Sequence, residues 1–130
     1  MHKWDRFRLR SLEFLAHWAM ALAPDSHLFS LQQGPGREEL LRRSGGPSVI
    51  EPPLDSETVP RPFAETAAIL SCLDSVVTVD TAVGHLAGAI GVPTRVLLGR
   101  MTDWRWLVER SDSPWYESVR LERLGAVGEP

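Results

Sequence analysis

The stretch from Ser75 to Gly99 constrains the fold of this chain more than any other. It reads Ser-Val-Val-Thr-Val-Asp-Thr-Ala-Val-Gly-His-Leu-Ala-Gly-Ala-Ile-Gly-Val-Pro-Thr-Arg-Val-Leu-Leu-Gly, and resolves into strand, tight turn, helix, turn and strand. Val76, Val77 and Val79 are β-branched and lie between Asp74 and Asp80, which suits a short buried strand. Asp80 and Thr81 are both helix N-cap residue types. Val83, Leu86, Ala87 and Ile90 then recur at i, i+3, i+4 and i+7, the spacing of one apolar helical stripe. Gly91 can end the helix in a left-handed conformation, and Pro93 prevents its continuation. Val96-Leu97-Leu98 is the next buried strand. Two buried strands joined by a helix imply a parallel sheet.

The strand-to-helix junction is also where chemistry is expected. Ligands of open parallel sheets sit beyond the carboxyl ends of the strands. The first N–H groups of a helix lack intrahelical partners, and the helix dipole favours an anion there. The amides of Thr81, Ala82 and Val83, with the Thr81 hydroxyl as a further donor, can therefore face a phosphate. Small residues at Ala82 and Gly84 let a ligand approach the backbone. His85 lies in the same turn, and helical side chains lean towards the N-terminus, so its imidazole can reach the same anion. Asp80 repels an anion, and its expected task is to hold the turn by accepting backbone N–H bonds. Each residue also has a purely structural reading: Asp80 and Thr81 as a plain N-cap, His85 as a surface histidine, Gly84 and Gly88 as points of close helix–sheet packing.

A chain of 130 residues points to one domain. A formal net charge of -3 gives no pull towards nucleic acid or acidic membranes. The single cysteine, Cys72, rules out an internal disulfide and any cysteine-cluster metal site, and its apolar surroundings suggest a small core residue. No apolar run is long enough to span a bilayer, and the N-terminus lacks the apolar core of a signal peptide, so cytoplasmic residence is expected.

Upstream, residues 1–10 form a polar, basic face. Ser11 resembles an N-cap, with Phe14, Leu15, Trp18 and Leu22 at helical spacing, and Pro24-Asp25 ends that helix. His27 to Leu31 is a strand candidate. It runs into the loop Gln32-Gln33-Gly34-Pro35-Gly36 and a short polar helix, Arg37 to Arg43. The amides of Gln32 and Gln33 can meet a base, ribose or phosphate, or simply solvent. No P-loop spacing and no G-x-G-x-x-G after a strand occurs, which disfavours Walker-type and nicotinamide sites. Ser48-Val49-Ile50 is a short strand, residues 51–62 a proline-rich loop, and Phe63 to Leu73 a helix. After Gly99, Thr102 or Asp103 caps a helical turn. Trp104, Trp106 and Trp115 crowd together, either walling a sugar or base pocket or pinning an irregular loop to the sheet, with packing favoured. Arg120-Leu121 is a last short strand, and residues 124–130 are expected to be a disordered tail.

Several segments in order resemble a known family: His2-Lys3-Trp4-Asp5-Arg6-Phe7-Arg8-Leu9-Arg10-Ser11, Ser30-Leu31-Gln32-Gln33-Gly34, Phe63-Ala64-Glu65-Thr66-Ala67-Ala68, residues 79–89, Asp103-Trp104-Arg105-Trp106-Leu107, Asp112-Ser113-Pro114-Trp115-Tyr116 and Arg120-Leu121. Together they are similar to the C-terminal, donor-binding domain of bacterial GT-B glycosyltransferases. The group is often fused to tetratricopeptide repeats and is related to heptosyltransferases and O-linked N-acetylglucosamine transferases. The resemblance covers residues 1–123. It implies an α/β, doubly wound, mostly parallel sheet, Rossmann-like, with the family's first strand and last helix missing.

For function, the resemblance implies binding of a nucleotide-diphosphate sugar whose sugar passes to an acceptor hydroxyl, with donor contacts at Gln32, Asp80, Thr81, Ala82 and His85. No catalytic residue is carried over, and neither a metal nor a cofactor is expected, because donors of the protein compensate the leaving diphosphate. The expected partners are the nucleotide sugar and an N-terminal acceptor domain or tetratricopeptide-repeat segment on another chain. Alone, the chain is expected to be inactive. A non-catalytic nucleotide-binding or partner-docking module, and a non-functional truncated product, are the alternatives. Gln33 stands where the family usually has Lys, removing a cation and weakening diphosphate binding. Arg95 and Glu122 stand where apolar residues are usual.

Overall fold

The computed structural model describes residues 12–33, 35–52, 63–99 and 102–123. The basic N-terminal run with Ser11, most of the proline-rich loop, Gly34 and the tail after Arg123 lie outside the described residues. The chain divides into two compact units, Arg10–Ile69 and a second made of Met1–Leu9 with Leu70–Pro130.

The first unit holds α1 (Leu12–Leu22), β1 (Leu28–Phe29), α2 (Pro35–Arg42) and β2 (Val49–Ile50), and most of α3 (Phe63–Ser71). β1 and β2 pair in parallel, Leu28 with Val49 and Phe29 with Ile50, and the Ser30 N–H extends the ladder to the Ile50 carbonyl at 2.8 Å. Two-residue strands are short, and only one residue of each turns inward, so this sheet is thin. Cys72, just past the end of α3, is exposed. The expectation of a core residue fails because the helix has ended by that point and its apolar periodicity no longer applies.

The second unit carries β3 (Val76–Val79), α4 (Ala82–Ala89), β4 (Thr94–Leu98), a 3-10 turn (Trp104–Trp106) and β5 (Val119–Arg123). The three strands form one parallel sheet in the order β3-β4-β5, with Thr78, Val96 and Leu121 side by side. β3-α4-β4 is the strand–helix–strand unit read from the sequence. Parallel sheets with crossover helices make the chain an α/β protein of Rossmann-like build. β4 is the central strand, and four of its five residues are buried, as expected of a parallel strand with neighbours on both sides. The core gathers Val96, Leu98, Trp106, Val119 and Leu121, with Tyr116 packed against it.

α4 ends as its sequence requires. Gly91 takes φ +81°, the Val92 N–H reaches back to the Ala87 carbonyl at 3.0 Å, and the Gly91 N–H to the Gly88 carbonyl at 3.2 Å. This is the Schellman pattern, and the two residues its long bond joins, Val92 and Ala87, are both buried. The buried line of α4 differs from the expected stripe: it is Gly84, Ala87 and Gly88, while Val83 and Leu86 are half-buried and Ile90 is exposed. The reason is closeness of approach. A Cβ on Gly84 would stand 3.2 Å from the Thr78 methyl and 3.5 Å from Val96, so the helix lies against β3 and β4 on its smallest residues. Gly84 therefore serves helix–sheet packing, and the expectation that it opens the backbone to a ligand is not met.

Candidate functional site

The site grows from the junction of β3 and α4. Thr81 is the N-cap, with extended backbone at φ -142° and ψ 168°, and its side chain makes no capping hydrogen bond. Its carbonyl accepts from the Gly84 N–H at 3.1 Å, closing the first turn. Thr81 and Ala82 are both exposed, so the amino end of α4 is neither plugged by its own cap nor turned away from water. The positive end of the helix is thus presented at the carboxyl end of a parallel strand, where an anion gains about 0.3–1 kcal/mol from the dipole.

The threonine hydroxyl behaves differently from expectation. The Thr78 hydroxyl donates to the Val79 carbonyl at 3.0 Å and lies 3.2 Å from the Thr81 hydroxyl. A hydroxyl has one proton, so with that of Thr78 on Val79, Thr81 is the donor of the pair. Its proton points at Thr78 rather than at a ligand, and the Thr81 backbone N–H remains as a donor.

Asp80 corrects a second expectation. Its carboxylate oxygen accepts from the indole N–H of Trp106 at 2.9 Å, a partner 26 residues away, instead of from a backbone amide of its own turn. Trp106 is fully buried, and a buried indole N–H needs an acceptor. The half-buried carboxylate supplies it and ties the start of α4 to the 3-10 turn beyond β4.

His85 lies over that same indole. The two rings stack with centroids 4.6 Å apart and planes 20° apart. The Tyr116 hydroxyl lies 3.1 Å from Nδ1 of His85, with its ring edge-on to the imidazole. The histidine is held by three contacts: its helix, a stacked indole and a phenol. It is half-buried, not the loosely placed surface histidine of the structural reading.

Two sequence-distant elements make this possible. Asp103 caps the 3-10 turn by accepting from the Arg105 N–H at 3.0 Å; Thr102, the other cap candidate, donates to the Gly99 carbonyl instead. The Arg105 backbone N–H, with the guanidinium of the same residue, holds the Asp103 carboxyl below the usual carboxylate range, although partial burial opposes this. After the turn, Leu107 and Glu109 adopt φ of 56° and 59°, a costly conformation for non-glycine residues. Arg123 fastens this segment by donating to the carbonyls of Trp106, Leu107 and Arg110 at 2.9, 3.0 and 2.9 Å. Ser113, buried, accepts from the N–H groups of Trp115 and Tyr116 and so shapes the turn that presents Tyr116.

Asp80, Thr81, Ala82 and His85 thus come together at one helix start. Gln32 belongs to the other unit, half-buried after β1, with its N–H accepted by the Ser30 hydroxyl at 3.1 Å; it remains a candidate by resemblance only. The sequence reading gives Tyr116 no part in the site and weighs Trp106 only as a pocket wall or a packing residue. The crowding of aromatics was the available signal. The packing reading holds for Trp106, whereas Trp104 and Trp115 are exposed, Trp104 under the Arg105 guanidinium at 4.9 Å and Trp115 bonded to the Arg105 carbonyl at 2.7 Å. Among the described residues, no group of three or more His, Cys, Asp or Glu is placed to hold a metal ion, and no helix is long and apolar enough to cross a membrane.

Residues 60–120 match the model of glycosyltransferase family 9 (heptosyltransferase), somewhat under half of the chain. No curated protein and no solved structure matches the chain. The matched stretch takes in β3, α4, β4, the 3-10 turn with Trp106 and the later turn with Tyr116, so this part is similar to a glycosyltransferase domain and is connected at that level with sugar transfer.

Proposed function

We propose that the chain is the donor-binding half of a GT-B glycosyltransferase and holds the diphosphate of a nucleotide sugar at the start of α4. The observation that carries this reading is the exposed N-terminus of α4, uncapped by Thr81, with His85 fixed in its first turn inside the stretch similar to glycosyltransferase family 9. Diphosphate oxygens accept from the amides of Thr81, Ala82 and Val83 and from the imidazole. As the bond from sugar to diphosphate breaks, negative charge grows on the leaving oxygen, and donors already in place stabilise it without rearranging. Asp80 acts from behind the turn, since its carboxylate is engaged by Trp106.

The base that activates the acceptor hydroxyl belongs, in this reading, to an acceptor domain on another part of the complete enzyme. The isolated chain binds donor weakly and does not turn it over. Titration calorimetry with nucleoside diphosphates tests this: weak binding is expected, reduced about 10- to 150-fold in His85→Ala, the worth of one hydrogen bond to a charged ligand. Equal binding by wild type and variant, or sugar transfer by the isolated chain, overturns it.

A further inference from the structure

We infer that Tyr116 is a positioning residue that keeps Nε2 of His85 a hydrogen-bond donor whether the imidazole is neutral or charged, with Gly88 as the seat that places the phenol. The inference rests on the diphosphate reading of the site for its ligand, but not for its geometry.

The hydroxyl of Tyr116 engages Nδ1 at 3.1 Å, so any bond from the ring to a ligand falls to Nε2. A neutral imidazole carries one proton, and an anion requires it on Nε2. The group at Nδ1 decides whether it can sit there. A carbonyl or carboxylate can only accept, and would hold the proton on Nδ1, leaving a bare lone pair on Nε2 to face the anion. A phenol can do both. In the proposed arrangement it donates to Nδ1 of the neutral ring that carries its proton on Nε2; when the ring is charged, it turns and accepts from Nδ1–H while Nε2–H stays. Orientation of a histidine through its second nitrogen is the device familiar from metal ligands.

The chain builds this contact deliberately. A Cβ on Gly88 would stand 2.6 Å from Cγ and 2.9 Å from Cβ and Cδ2 of Tyr116, so the phenol lies directly on the helix backbone one turn after His85. Any other residue at 88 displaces the ring. Ser113 fixes the backbone of the same residue by accepting its N–H at 3.3 Å. The Asp112-Ser113-Pro114-Trp115-Tyr116 segment thereby acquires a purpose: it delivers one hydroxyl to one nitrogen.

The test uses the full chain labelled with 15N, with ring signals of His85 assigned by difference against His85→Gln. At alkaline pH, without ligand, the wild type is expected to show a proton on Nε2 and the nitrogen shift of a hydrogen-bonded acceptor at Nδ1. In Tyr116→Phe the Nδ1 signal should move downfield to that of a free imine nitrogen. Affinity for UDP and ADP should fall about 3- to 10-fold, less than in His85→Ala, because the imidazole stays and only the neutral bond that orients it is lost. Gly88→Ala keeps the hydroxyl but moves it, and should give the same ring signature. A proton on Nδ1 in the wild type, or unchanged ring shifts in Tyr116→Phe, overturns the proposal. So does a changed ring with unchanged nucleotide affinity beside a weakened His85→Ala. If His85→Ala itself binds as wild type, the diphosphate reading fails and takes the ligand role of Tyr116 with it, while the ring signature still reports whether the lock exists.

Discussion

At the scale of single residues, the contact between Asp80 and Trp106 decides how firmly the helix start is held. A buried indole N–H without an acceptor costs the desolvation of that group. Asp80→Ala is therefore expected to destabilise the chain by about 1–3 kcal/mol, measured as a shift of the urea midpoint by tryptophan fluorescence. Trp106→Phe keeps an aromatic ring beneath His85 but removes the N–H, and should cost more through lost volume. Once both are changed, the second substitution should cost less than it does alone, giving a coupling within the 0.5–3 kcal/mol seen for contacting residues, roughly. Additive losses would mean that the 2.9 Å contact does not hold in solution. This pair also marks the limit of reading residues from sequence. Asp80 was singled out by its place at a strand end, and Trp106 by its aromatic neighbours, but a sequence separation of 26 conceals that each is the other's partner.

At the scale of elements, the 3-10 turn and β5 show how departures from an apolar pattern can answer one another. Arg95 and Arg120 are register partners on β4 and β5, and like charges side by side on a sheet are unfavourable. Glu122, two residues on and facing the same way, accepts from Arg95 at 2.5 Å, while Arg120 turns to the carbonyls of Glu117 and Val119. The two residues that looked out of place in separate strands are one exposed ion pair, and only the parallel register reveals it. Asp103 does comparable work for the 3-10 turn, with a pH dependence of known sign. Its folded pKa lies below the ordinary value, chiefly because the Arg105 N–H favours the charged form. The stability it contributes is therefore present above the unfolded pKa, near 3.9, and is lost as pH falls through the lower folded value. Acid titration of tryptophan emission should show an acidic transition of the turn that Asp103→Asn removes. An identical acid limb in both proteins would place the cause in other carboxylates.

At the scale of the whole molecule, what could be read in advance was whatever depends on neighbours in sequence. The valines of β3, the Gly91-Val92-Pro93 helix ending and the apolar run of β4 each specify their own element locally, and all three formed where expected. Close packing at Gly84 and Gly88 was one of two readings open in the sequence, and nothing local decided for it, because their neighbours Thr78 and Tyr116 meet them only after the sheet has assembled. The same is true of His85, whose hydroxyl partner is 31 residues away. A difference in stability follows from this division of labour. β4 has a strand on each side and four buried residues of five, so its amides open only when the three-stranded sheet comes apart. β1 and β2 are two residues each, with Phe29 and Ile50 exposed, and little apolar surface is lost if they separate. Exchange in such short strands proceeds by local opening, and in central strands by events close to global unfolding. Hydrogen exchange followed by mass spectrometry should find peptides covering Thr94–Leu98 at least about tenfold slower than those covering Leu28–Phe29 and Val49–Ile50, a gap of roughly 1.4 kcal/mol or more. The strand that ends at Asp80 should follow β4 rather than β1, since it shares its ladder and carries the helix start on which the site is built. Equal exchange in all of these strands would show that the sheet beneath α4 is no firmer than the thin one, and too mobile to hold helix amides and imidazole ready for a developing charge.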